Sequence, residues 1–67
     1  MKLITIIAID RNSSESNSRT FNVNKSLEKN IIQWESNLPY TKYELMCDEL
    51  IDDIVIEKIL DNLEITY

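Results

Sequence analysis

The sequence predicts a small α+β domain, single over residues 1–67: an N-terminal β-hairpin packed on a helix, followed by an acidic helical region, with the C-terminal residues able to add a short strand. Three observations lead there. Lys2 to Asp10 (KLITIIAID) is rich in β-branched residues, and Leu27, Ile31 and Trp34 recur at helical spacing. Charge is also divided along the chain: residues 1–40 sum to +1 and residues 41–67 to −6, within a net −5.

The first segment places Leu3, Thr5, Ile7 and Ile9 on one side and Ile4, Ile6 and Ala8 on the other. Apolar residues on both sides predict an interior strand, covered over most of both faces. Arg11 to Arg19 (RNSSESNSR) has no apolar residue, so 11–19 is expected to be a flexible polar loop. Thr20 to Asn24 (TFNVN) alternates with Phe21 and Val23 inward, and pairs with the first strand as an antiparallel hairpin.

Asn24 or Ser26 can cap the next segment, whose apolar stripe Leu27, Ile31, Trp34 describes an amphipathic helix of about three turns. Asn37 before Leu38-Pro39 is a natural stop, because Asn tolerates a left-handed cap and Pro disfavours helix in the preceding residue. With no glycine in the chain, reversals are expected to rest on Asn, Asp and Ser, with Asn12, Asn17, Asn37 and Asn62 at suitable places.

Residues 41–51 fit two patterns. Thr41-x-x-Glu44 opens a capping box, and Tyr43, Met46, Cys47, Leu50 and Ile54 then share a helical face from which only Leu45 departs. As a strand, Tyr43, Leu45 and Cys47 alternate with polar residues and only Met46 is out of place. The cap and the propensities of Glu, Leu and Met favour the helix. Further on, Ile56, Ile59, Leu60 and Leu63 form a second apolar face opposite the first. The expected resolution is a break at Asp52-Asp53, with Asp capping a new helix; otherwise one face awaits a partner. Leu63 to Tyr67 alternates and could lie beside the first strand.

Composition excludes more than it assigns. A single cysteine, Cys47, rules out an intramolecular disulfide, and with no histidine the usual zinc spacings are absent. Without glycine there is no phosphate-cradling loop. Asp48, Glu49, Asp52 and Asp53 lack the calcium-loop pattern, and so short a chain has little volume for a pocket that would perturb a catalytic carboxylate. No enzyme activity, cofactor or metal is therefore expected. Few and scattered bases disfavour direct nucleic-acid binding. The apolar run Leu3–Ile9 is too short to span a membrane, and the lone cysteine suits a reducing compartment, so a cytoplasmic protein is expected. Heavy use of Ile, Asn, Lys and Glu fits a low-GC gene of the kind phages and mobile elements carry.

Two functional classes remain. On a continuous helix Glu49, Asp53, Glu57 and Asp61 would recur every four residues, about 6 Å apart along the axis. That resembles the spacing of successive phosphates, so the leading expectation is a non-enzymatic protein that binds and inhibits a partner by masking its basic, nucleic-acid-binding surface. Tyr40 and Tyr43 would supply apolar anchors. The alternative is a self-associating subunit, a homodimer for example, joined through Ile56, Ile59, Leu60 and Leu63.

Overall fold

β-Branched residues stiffen the first strand and two amphipathic helices cover one of its sides. The computed structural model describes residues 2–47, 49 and 51–67. The order is β1 (Leu3–Asp10), β2 (Ser16–Asn22), α1 (Leu27–Ser36), β3 (Tyr43–Cys47) and α2 (Ile54–Asn62). The sheet runs β2-β1-β3 with both pairings antiparallel. This is the expected α+β domain.

β1 is interior, as its sequence predicts, but among the described residues only one of its faces is covered. Ile4, Ile6 and Ala8 join Phe21, Leu45 and Cys47 on the helix side, in a core with Leu27, Ile31, Trp34, Ile56, Leu60 and Ile65. The other face carries Leu3, Thr5, Ile7 and Ile9, with Leu3 49% exposed. Covering both faces would need a third layer, and both helices of this short chain pack into the same core.

The polar stretch 11–19 is shorter as a loop than its composition suggests. Asp10 accepts bonds from the Asn12 amide and the Ser13 hydroxyl, and the Ser14 amide bonds the Asp10 carbonyl at 3.0 Å. The Ser13 hydroxyl foremost, and then the Asn12 amide, hold the Asp10 carboxyl below its ordinary pKa. The chain re-enters the sheet at Ser16, and residues 16–19 pair with Ile9 back to Ile6. They carry no apolar signal because α1 reaches only the Phe21 end of this edge strand, where Trp34 meets Phe21 edge-on at 5.6 Å. Beyond that end both faces of β2 are exposed, so backbone pairing alone places these residues.

Residues 43–47 form a strand, which corrects the helical expectation for this region; Asp48 and Leu50, which belonged to it, lie outside the described residues. The capping box is a local signal, and the open edge of β1 is a stronger one, because its backbone groups need partners. Ile7 pairs with Met46 and Ile9 with Glu44, and the Arg11 amide extends the ladder to the Lys42 carbonyl at 3.1 Å. Leu45 and Cys47 are buried, while Met46, the residue that spoiled the strand pattern, lies on the uncovered face.

The break before α2 falls where expected. Asp53 is extended and its carboxylate accepts the Val55 amide at 2.9 Å, an N-cap. Ile56 and Leu60 of this helix are buried, with Ile59 and Leu63 packed against the same core. The apolar face offered above for self-association is therefore inside the domain. The last residues do form an extended segment, but beside β3 rather than β1: Thr66 bridges Met46 in parallel, its amide bonding the Leu45 carbonyl at 3.0 Å. The Cys47 amide bonds the Thr66 carbonyl at 2.7 Å.

Left-handed backbone occurs at Ser14 (φ 64°), a residue type expected at reversals, and at Glu64 (φ 58°), which is not; none of the four asparagines adopts it, although Asn12 does lie in the β1–β2 turn. Asn17 lies in β2, Asn62 ends α2, and Asn37 has φ −100° with its side-chain amide bonding the Gln33 carbonyl. Glu64 closes α2 as a Schellman cap: the Ile65 amide returns to the Leu60 carbonyl at 2.9 Å and the Glu64 amide to Asp61 at 3.1 Å. Glycine is usual there, since a side chain costs about 1–2 kcal/mol in this region. Glu64→Gly is expected to stabilise the domain by about 0.5–1 kcal/mol after glycine's own entropy loss, seen as a higher urea midpoint. An unchanged or lower midpoint would contradict the cap.

Candidate functional site

The six residues singled out from sequence separate into two groups. Tyr40 and Tyr43 flank the start of β3, with ring centroids 6.5 Å apart. Both are half-buried against the core. Tyr43 donates its hydroxyl to Glu35 Oε1 at 2.8 Å, which ties β3 to the last turn of α1. Burial, then that bond and the Glu35 charge, push the Tyr43 phenol up to about 12, so it stays a donor at neutral pH.

Asp53, Glu57 and Asp61 form the second group, at the cap of α2 and one and two turns along it. From Asp53 to Asp61 the axial rise is about 12 Å. Glu49 is exposed but precedes the helix, so the four-acid series becomes three carboxylates on one ridge, with Glu49 in the approach segment.

Tyr67, outside the six residues marked by the sequence, organises this ridge. Its hydroxyl donates to Glu57 Oε1 at 2.8 Å and lies 3.4 Å from Asp61 Oδ1. The bond to Glu57 is the main reason its phenol is raised to about 12, with partial desolvation and the neighbouring carboxylate charges adding to it. One neutral donor thus bridges two carboxylates a turn apart and restrains their positions. The Schellman return and the Thr66 bridge together direct the chain to Tyr67, and no spacing rule reports the contact it makes with α2.

A surface groove of about 610 Å³ runs along the outer side of β3, lined by Tyr43, Glu44, Leu63 and Glu64 among others. Arg11 and Glu44 form an exposed ion pair at 3.0 Å within it. Tyr43 is the one member of the predicted set that lines this groove; Asp53, Glu57 and Asp61 do not. The structure therefore does not merge anchors and acids into one pocket. Among the described residues, no helix is long and apolar enough to cross a membrane.

No family model, curated protein or solved structure significantly matches this chain.

Proposed function

We propose that this protein is a non-enzymatic binding module that masks a basic surface on a protein partner, with the α2 ridge as the contact. The observation that carries the reading is the bridging of Glu57 and Asp61 by Tyr67. A solvated helix face has no need of a donor that fixes its carboxylates, whereas a surface that docks onto bases gains from carboxylates held in place before contact. Asp53 and Glu64 extend the same negative field, and Lys58 is the lone base on α2.

The partner's basic surface is of the kind that binds nucleic acid, and inhibition follows from occupying it. The ridge covers about two phosphate intervals, given its length of about 12 Å. The contact is thus local masking of a few basic side chains, and a long duplex is not imitated.

The test is capture of host proteins on the immobilised chain, elution with a salt gradient, and competition with duplex DNA. A basic protein should elute at moderate salt, be displaced by DNA, and be lost with Glu57→Lys combined with Asp61→Lys. Asp53 is left intact in this variant, because removing an N-cap costs about 1 kcal/mol and would confuse binding with folding. Capture that survives both the charge reversal and high salt would sink the proposal.

A further inference from the structure

The outer edge of β3 is paired over only part of its length. Alternate residues of a strand turn their main-chain groups to opposite edges. The Arg11 amide bonds the Lys42 carbonyl, so Lys42, Glu44 and Met46 face β1, while Tyr43, Leu45 and Cys47 face outward. The C-terminal residues use part of this outward row, through the Leu45 carbonyl and the Cys47 amide, both bonded to Thr66. The chain reaches Thr66 through the left-handed Glu64 that closes α2, and the pairing is one residue long. Upstream, the Tyr43 amide, the Tyr43 carbonyl and the Leu45 amide have no partner among the described residues. The groove of about 610 Å³ follows this stretch, and Leu63 and Glu64 line it together with β3. β2 has an open outer edge too, but residues 16–20 are exposed on both faces, so no side chains wall it.

We propose that this edge takes an extended, basic segment of a partner protein as a further strand of the sheet. The free groups define the form of the occupant. Two donors and one acceptor in strand register are met by the main chain of another strand, as Thr66 already meets the next groups along. Alternation defines its side chains. One row falls beside Tyr43 and Leu45, where Leu63 also lines the groove, and is apolar. The other row falls on the Glu44 side and is basic. Three carboxylates, Glu35, Glu44 and Glu64, line the groove against Arg11 and Lys42, which leaves one excess negative charge in a chain of net −5. Arg11 is held by Glu44 at 3.0 Å, whereas the Glu64 carboxylate has no partner among the described residues. An acidic segment, a second copy of this chain included, is repelled there. The stretch from Thr41 to Leu45 is roughly 16 Å long, so about five residues dock. This contact reads main chain at β3 and does not depend on the α2 ridge having a partner.

The probe is a capped peptide of four alternating Lys-Val pairs, titrated into the labelled protein at low salt and followed by amide NMR. Shifts should centre on Tyr43, Glu44 and Leu45, and the Tyr43 and Leu45 amide protons should exchange more slowly with solvent once the peptide is bound. Methylating every backbone nitrogen of the peptide keeps its charge and removes its donors, and should weaken binding at least about fivefold. The matching Glu-Val peptide should not bind. Glu64→Lys keeps a side chain on the same left-handed backbone and should weaken binding at least about threefold, with the circular dichroism spectrum unchanged. No binding of the Lys-Val peptide would overturn the proposal. So would shifts confined to α2, to β2 or to the uncovered sheet face, or equal binding of the methylated or the Glu-Val peptide.

Discussion

Leu60→Ala is expected to leave the domain largely unfolded at physiological temperature, whereas Ile54→Ala, six residues earlier on the same helix, should alter stability by less than about 0.5 kcal/mol. Leu60 is fully buried and Ile54 is 69% exposed. Truncating a buried leucine costs about 2–5 kcal/mol, and a 67-residue domain has only about 3–10 kcal/mol in total. The Leu60 carbonyl also accepts the Ile65 amide that closes the helix, so the cavity would open beside the cap. Urea titrations followed at 222 nm report both variants. If Leu60→Ala behaved like Ile54→Ala, the face containing Ile56 and Leu60 would be a surface, and the self-associating reading of that face would return.

The contrast between these two residues shows what was legible in the sequence. Periodicity located the apolar face of α2 and Asp53 marked its start, because both are properties of one segment. What the face packs against depends on where β3 lies, and β3 was the element whose local signals conflicted. Its capping box and helix formers are properties of residues 41–46 alone. The opposing demand, that β1 pair along its second edge, is a property of another segment. The same limit explains β2, where residues 16–19 pair without any apolar residue to mark them. It also explains Tyr67, whose two carboxylate partners are remote from it until Thr66 bridges Met46. Conversely, the apolar pattern on both faces of β1 was plain in the sequence, and the described residues leave one of those faces open.

A chain ending at Leu63 is expected to lose its cooperative unfolding transition. Deleting 64–67 removes buried Ile65, which is 3% exposed, together with both backbone bonds that attach Thr66 to β3. The side chain alone is worth about 2–5 kcal/mol, and each backbone bond contributes about 0.5–1.5 kcal/mol. Their sum is comparable with the whole stability of the domain. Tyr67→Phe separates the parts, since it keeps the strand pairing and removes only the hydroxyl bonded to Glu57 and Asp61. That variant should unfold within about 1 kcal/mol of the parent, because the lost bonds are exposed. In the salt-gradient capture it should nonetheless elute earlier, as carboxylates no longer held in place lose entropy on docking. A deletion variant that still melts cooperatively near the parent midpoint would mean that α2 is closed without the Schellman return and that the Thr66 pairing is incidental. Loss of the transition on deletion, with retention in Tyr67→Phe, would instead assign two roles to these few residues: Ile65 and Thr66 complete the core and the sheet, and Tyr67 sets the geometry of the acidic ridge.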